Sequence, residues 1–365
     1  MTDPDIPEAD RAEGAPHPRH TERLIGHTAA QARLGAALTS GRMHHAWLIT
    51  GPAGIGKATL AWQVAKVLLA GQSTPVPGAL PQPDPQDPAL RRLAALSEPG
   101  LCLLRRHWDD KRKALSAQIT VDSVRGLKRF FALSRPDGGH RVVIVDAAED
   151  MNVNAANALL KQLEEPPAAT TFLLISHRPS RLLPTIRSRC RTLALSPLPA
   201  DETSQALHQA LPDLPGDEAL RLAELSAGSP GRAVQLHAHD GIALRDTLLQ
   251  IFATMPGADR NAAHRLGATM APRGTEDRRS LALELTDELI AEIARHAAFG
   301  TADTLPPALR RLAPDPAAGR HWAAAQQEIT GRVRQGLAVN LDPQSLFIDM
   351  VLNIDRTARS VASQG

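Results

Sequence analysis

The chain has 365 residues, 43% of them apolar, with 41 Lys and Arg against 39 Asp and Glu for a formal net charge of +2. That length predicts two or three domains, each large enough to bury a core, and the near-neutral balance excludes a protein held along its whole surface by phosphates, so nucleic-acid contact has to be local. Its two cysteines, Cys102 and Cys190, are too few for a disulfide framework or a cysteine-built zinc site, which points to a reducing compartment and to no zinc.

The N-terminus, MTDPDIPEAD, lacks the basic and apolar regions of a signal peptide, and no apolar run approaches the roughly 18 residues of a membrane span. A soluble, cytoplasmic protein with no membrane partner is the expectation. Residues 1–20 carry Pro4, Pro7, Pro16 and Pro18 among charged and small side chains, show no periodicity, and are predicted to be a disordered tail. A largely apolar helical stripe follows through Ala29, Ala32, Ala36 and Leu38 and stops at Gly41. Residues 46–50 read as a buried strand that runs into a glycine-rich turn and then a helix over 60–69. The proline-rich stretch 71–99 reads as an insertion whose first half is barred from regular helix or central strand. Strands are predicted at 100–104, 142–145 and 172–175, alternating with helices at 121–133 and 155–163. Strands apolar on both faces and interleaved with helices predict an α/β domain with a parallel sheet covered on each side. Beyond about residue 196 only helical periodicity remains, over 220–227, 281–298, 322–339 and 345–354.

The turn after the first strand reads Gly51-Pro52-Ala53-Gly54-Ile55-Gly56-Lys57-Ala58-Thr59. It nearly fits the phosphate-binding loop, in which glycines let backbone N–H groups wrap a phosphate at a helix N-terminus and the lysine reaches the outer oxygens. Its place between a strand and a helix supports that reading over a ligand-free turn. Gly51, Gly54, Gly56 and Lys57 are the candidate cradle. The hydroxyl position that touches Mg²⁺ is Ala58, and Thr59, one step on, is rotated by roughly 100°. The strand at 142–145 ends at Asp146, where a carboxylate helps hold Mg²⁺, but the next position, where hydrolytic enzymes place a water-polarising glutamate, is Ala147. Glu149 and Asp150 read as solvated residues. The site keeps a phosphate cradle for ATP, weak or vestigial, and is expected to hydrolyse it little or not at all.

The runs Asn157-Ala158-Leu159-Leu160-Lys161, Leu163-Glu164-Glu165-Pro166-Pro167, Phe172-Leu173-Leu174-Ile175-Ser176 and Leu183-Pro184-Thr185-Ile186-Arg187-Ser188-Arg189-Cys190 resemble the AAA+ subunits of bacterial sliding-clamp loaders. The likeness is strongest to the delta-prime type of DNA polymerase III, since the gamma/tau type has intact hydrolytic motifs. It is dense over 21–195, weaker through Gly228-Ser229-Pro230-Gly231-Arg232-Ala233, and only architectural toward the C-terminus. The resemblance implies an AAA+ domain at 21–195, a helical lid at 196–240 and a helical collar for oligomerisation at 241–365. It implies that Leu24-Ile25-Gly26-His27 borders the adenine pocket, that Ser176 is the first sensor and that Arg232 is the sensor arginine of the lid. Arg189 is implied as an arginine finger reaching the ATP of a neighbouring gamma/tau subunit, an effect worth roughly 10³ to 10⁵ in rate. Composition alone would make Arg189 a surface arginine. The implied partners are gamma/tau and delta subunits, the sliding clamp and, through the complex, primer-template DNA, in ATP-dependent clamp loading during chromosomal replication. The alternative is a hydrolytic gamma/tau-like ATPase, against which Ala58 and Ala147 speak.

The four-cysteine zinc module common in these subunits has no cysteines here over 71–99, and His44-His45 and His237-x-His239 read as solvated or hydrogen-bonded histidines rather than metal ligands. Cys190 reads as a small buried residue. Arg125, Lys128 and Arg129 share one helix face; it is open to two readings, a contact for the DNA phosphate backbone or a solvated face.

Overall fold

The computed structural model describes residues 7–132, 139–300 and 305–364, and the chain divides into two compact units, Met1–Gln235 and Leu236–Gly365. The first unit is built on five parallel strands: β1 (Ala46–Thr50), β2 (Leu101–Arg105), β3 (Arg141–Asp146), β4 (Thr170–Ser176) and β5 (Arg191–Ala194), in the spatial order β2-β3-β4-β1-β5. In the three central strands β1, β3 and β4 every residue from Val142 onward in β3, and every residue of the other two, is buried. Helices therefore cover both faces. One core layer joins Trp47, Ile49, Leu60, Val64, Val142, Ile144 and Leu173, the other Leu48, Val143, Val145, Leu159, Phe172 and Leu174.

Strand β5 is absent from the sequence prediction. It is an edge strand in which Leu193 alone is buried, so its pattern carries no apolar run. Its presence moves Arg189: the Ser-Arg-Cys motif stands before the last strand, in the turn after a short helix at Pro184–Arg187, rather than beyond the sheet. The insertion 71–99 holds a two-residue ribbon, Ser73–Thr74 against Gln82–Pro83, and a helix at Pro88–Ala94 whose Asp87 carboxylate accepts the Ala89 N–H at 2.8 Å. The helix expected over 121–133 spans Val121–Ala132; its last predicted residue lies outside the described ones.

The tail is also different from 7 to 20. A 3-10 turn at Pro18–His20 follows His17, which is 2% exposed and ion-paired with Asp10 at 3.1 Å. Long-range ion pairs order this segment, and such pairs leave no periodic signature in the sequence.

Helices Ala200–Ala210, Gly216–Leu225 and the start of Pro230–Ala238 complete the first unit. The second unit contains helices Gly241–Ala253, Arg260–Met270, Glu276–Phe299, Pro316–Ala338 and Pro343–Gln364. Glycines let its helices approach closely: a Cβ on Gly319 would stand 2.8 Å from the Ala294 carbonyl oxygen, and one on Gly267 would stand 2.8 Å from that of Gln344. Trp322 is fully buried and donates its indole N–H to the Leu312 carbonyl at 2.7 Å. No described helix is long and apolar enough to cross a membrane.

Candidate functional site

Strand β1 lies between β4 and β5, with Thr50 opposite Ser176 on one side and Ala194 on the other. The loop that leaves it opens at the carboxyl ends of the parallel strands, where such sheets hold ligands. Gly51, Gly54 and Gly56 all take positive φ, at 143°, 74° and 102°. Gly56 caps the Lys57–Leu69 helix in the left-handed conformation, and Gly54 to Thr59, with the helix N-terminus, border one concavity.

That concavity is a cavity of about 660 Å³ whose lining includes Gly54, Gly56, Lys57, Ala58, Thr59 and Asp146. Of the sequence-predicted cradle, Gly54, Gly56 and Lys57 come together around one space of nucleotide size, while Gly51 lies outside its lining. Lys57 is 3% exposed and donates through Nζ to the carbonyls of Gly51, at 2.8 Å, and Pro52. Burial pulls its pKa down to about 8, against the opposing pull of Asp146 and Glu149. Burial pushes the Asp146 carboxyl up to about 8, and the negative charge of Asp10 adds to the rise. The geometry fits a bound phosphate. It fits Mg²⁺ less well, because Ala58 offers no oxygen.

Ser176, wholly buried, accepts the Arg178 N–H at 3.2 Å, while its neighbours Ile175 and His177 line the cavity. Glu149 is not a solvated residue: Oε1 accepts the backbone N–H groups of His177 at 2.7 Å and Arg178 at 3.0 Å, tying the end of β3 to the end of β4. Burial raises its carboxyl, and hydrogen bonds from its own backbone N–H, the His177 N–H and the Ser176 hydroxyl outweigh that, holding it below the ordinary value. Asp150, similarly half-buried, pairs with Arg106 at 3.1 Å. Both departures from the sequence reading have one cause, the proximity of strand ends far apart in the chain.

His27 joins the loop from the other side, its Nε2 lying 2.6 Å from the Ile55 carbonyl oxygen. Residues 229–232 arrive from furthest away. Ser229 donates to the Ala53 carbonyl at 3.0 Å across 176 positions, and the Gly231 N–H donates to the Gly54 carbonyl at 2.9 Å. The Arg232 N–H in turn donates to the Ser229 hydroxyl at 3.3 Å.

Arg189 lies elsewhere. Its side chain is one-third exposed, pairs with Glu164 at 2.6 Å and donates to the Thr185 carbonyl at 3.0 Å. Cys190 is half-buried, and burial pushes its thiol up to about 12, which makes it unreactive. Arg125, Lys128 and Arg129 are all exposed on the Val121–Ala132 helix, opposite the buried Val124 and Leu127, with Arg125 paired to Asp122 at 3.0 Å. His44 and His45 stack on each other with ring centroids 4.3 Å apart, and His44 Nδ1 lies 2.8 Å from the Ala46 carbonyl oxygen.

A parallel sheet with a glycine-rich loop at its carboxyl edge and a helical segment seated on that loop defines a P-loop α/β domain. Residues 26–199 match the family described as DNA polymerase III, delta subunit. The chain is 46% identical to the DNA polymerase III subunit delta' of Pseudomonas aeruginosa over 194 residues, which are 53% of this chain and 56% of that protein. It is 36% identical to the delta' subunit of Escherichia coli over 233 residues, 62% of this chain and 65% of that protein. A gamma subunit of DNA polymerase III from Buchnera aphidicola is 31% identical over 173 residues, 47% of this chain and 44% of that protein. Over residues 26–199 the chain is similar to the delta-type subunits of DNA polymerase III, and the match spans about six-tenths of the two delta' relatives.

Proposed function

We propose that this chain is a delta-prime-type subunit of a cytoplasmic DNA polymerase III clamp loader, supporting ATP-dependent placement of the sliding clamp on primed DNA. In this reading it joins gamma/tau and delta subunits, keeps a P-loop that binds nucleotide with little or no turnover, and supplies Arg189 in trans to the ATP of a gamma/tau neighbour. The observation that carries it is the split between the two halves of the chemistry. Gly54, Gly56 and Lys57 line a cavity in which Ala58 replaces the metal-binding hydroxyl, and Ala147, next to the lining residue Asp146, replaces the water-polarising carboxylate. Arg189 stands outside that lining, on a turn beside the sheet edge. A cation away from its own phosphates can act on those of another subunit, where it neutralises charge developing on the transferred phosphoryl group.

The helical C-terminal unit is the collar in this reading, and the Arg125, Lys128 and Arg129 face meets the phosphate backbone, giving charge without base readout. Ser176 and Arg232 serve as the two sensors, and Asp146 holds what metal the site retains. The test is reconstitution with gamma/tau and delta subunits, comparing wild type with Arg189→Ala. Turnover at the one interface Arg189 serves should fall by roughly 10³, removing that site's share of the complex's hydrolysis on primed DNA. Unchanged hydrolysis and loading would refute the finger. Phosphate release by the isolated chain at the rate of a gamma/tau subunit would favour the hydrolytic alternative.

A further inference from the structure

Arg189 is held at two points, by two elements that the fold brings together. Its Nη2 pairs with Glu164 Oε1 at 2.6 Å, and its Nη1 donates to the Thr185 carbonyl at 3.0 Å. Glu164 is the last residue of the Val153–Glu164 helix, and Pro166 and Pro167 bar that helix from continuing. Thr185 belongs to the short helix Pro184–Arg187, whose carbonyls are left over for such contacts. Both elements sit on one core layer: Leu159 and Leu163 of the long helix and Ile186 of the short one are buried in it, with Cys190 packed against it. The Arg189 backbone N–H donates to the Ile186 carbonyl at 3.1 Å, so the turn that carries the side chain is fixed as well. Arg191, two residues on, lies instead over the Trp47 ring, 5.6 Å from its centroid.

An acid in the last turn of a helix faces the negative end of the helix dipole, so helix stability does not account for Glu164. Nor does the ion pair itself, since the Arg189 and Glu164 side chains are 34% and 48% exposed and such pairs add little to stability. The contact restricts the direction of a long side chain. Resting on the reading of Arg189 as an arginine finger, we propose that Glu164 is its positioning residue: Oε1, acting with the Thr185 carbonyl, holds the guanidinium in one orientation off the turn, so that it meets a neighbouring subunit's triphosphate already aimed. A finger without that support loses its rotamer freedom at each encounter, and the transition state bears the cost. Glu164 lies outside the lining of this chain's own cavity, and its effect runs through Arg189.

The test uses the complex reconstituted with gamma/tau and delta subunits on primed DNA, taking the difference in ATP hydrolysis between wild type and Arg189→Ala as the share that depends on Arg189. Glu164→Ala should cut that share by about tenfold through kcat, with KM for ATP unchanged. Glu164→Gln keeps the accepting oxygen and loses the charge, and should retain the share within about twofold. In the Arg189→Ala background, Glu164→Ala should remove nothing further. A share untouched by Glu164→Ala would overturn the proposal, and so would a share that rises in either variant, which would make Glu164 a restraint on the finger. Equal losses in Glu164→Ala and Glu164→Gln would assign the effect to charge, and a loss repeated in the Arg189→Ala background would assign it to the fold; either result overturns positioning. If Arg189→Ala itself changes nothing, the finger reading falls and takes this one with it, whereas a large Arg189 share indifferent to Glu164 sinks this one alone.

Discussion

Gly54 is where the P-loop meets the helical segment seated on it, and Gly54→Ala tests that joint. At φ 74° a residue with a Cβ is strained whatever the space around it. The left-handed conformation costs an L-residue roughly 1 to 2 kcal/mol. The added Cβ would overlap the Ser229 hydroxyl and stand 3.2 Å from both the Arg232 nitrogen and Gly231 Cα. Ser229 can turn away only by giving up its hydrogen bond to the Ala53 carbonyl, at 3.0 Å, worth about 1 kcal/mol. The two backbone contacts cannot turn away, so the expected loss of stability is about 2 to 3 kcal/mol. Urea denaturation of wild type, Gly54→Ala, Ser229→Ala and the double variant measures it. The double variant should be more stable than the single losses predict, by about 1 kcal/mol, because removing the hydroxyl relieves the overlap and the hydrogen bond is lost only once. A Gly54→Ala chain within about 0.5 kcal/mol of wild type, or strict additivity with Ser229→Ala, would refute the reasoning.

Charge supplies two further tests. Lys57 is depressed to about 8 by burial and Asp146 raised to about 8, so as pH rises through 8 the first loses its positive charge and the second gains a negative one; affinity for ADP should weaken over that range, less steeply in Lys57→Arg and not at all in Lys57→Arg combined with Asp146→Asn, in a binding titration. In the second unit, Asp355 accepts the N–H groups of Gly257 at 2.6 Å and Ala258 at 2.9 Å and pairs with Arg359 at 2.8 Å. Burial raises its carboxyl, but these partners outweigh that and hold it below the ordinary value, so its contribution is present above the unfolded pKa and lost as pH falls through the folded one. Asp355→Asn should lower stability near neutrality and flatten the acid-side decline below about pH 4, read from denaturant midpoints across pH. An unchanged acid-side slope would exclude that account.

The features legible in the amino-acid sequence are local ones. A buried strand, a glycine-rich turn and a helix are contiguous from Ala46 to Leu69, so periodicity and spacing identify them, and the losses at Ala58 and Ala147 are visible in single letters. The parallel sheet follows because β1, β3 and β4 are apolar on both faces. Edge strand β5 is buried only at Leu193, and so leaves no such mark.

Contacts between distant positions belong to the tertiary fold alone. Hydrogen bonds carry no sequence period, and three of them bring Ser229 and Gly231 onto the loop at Ala53 and Gly54 and hold Arg232 beside it. Glu149 reads as a solvated acid until the ends of β3 and β4 lie side by side and it caps the His177 and Arg178 N–H groups. The polar, proline-rich start of the chain has the composition of a free tail, since composition registers apolar burial and not paired charges. Asp10, His17 and Arg105 become a buried cluster only because the fold brings the end of β2 to the segment that precedes it by 95 positions.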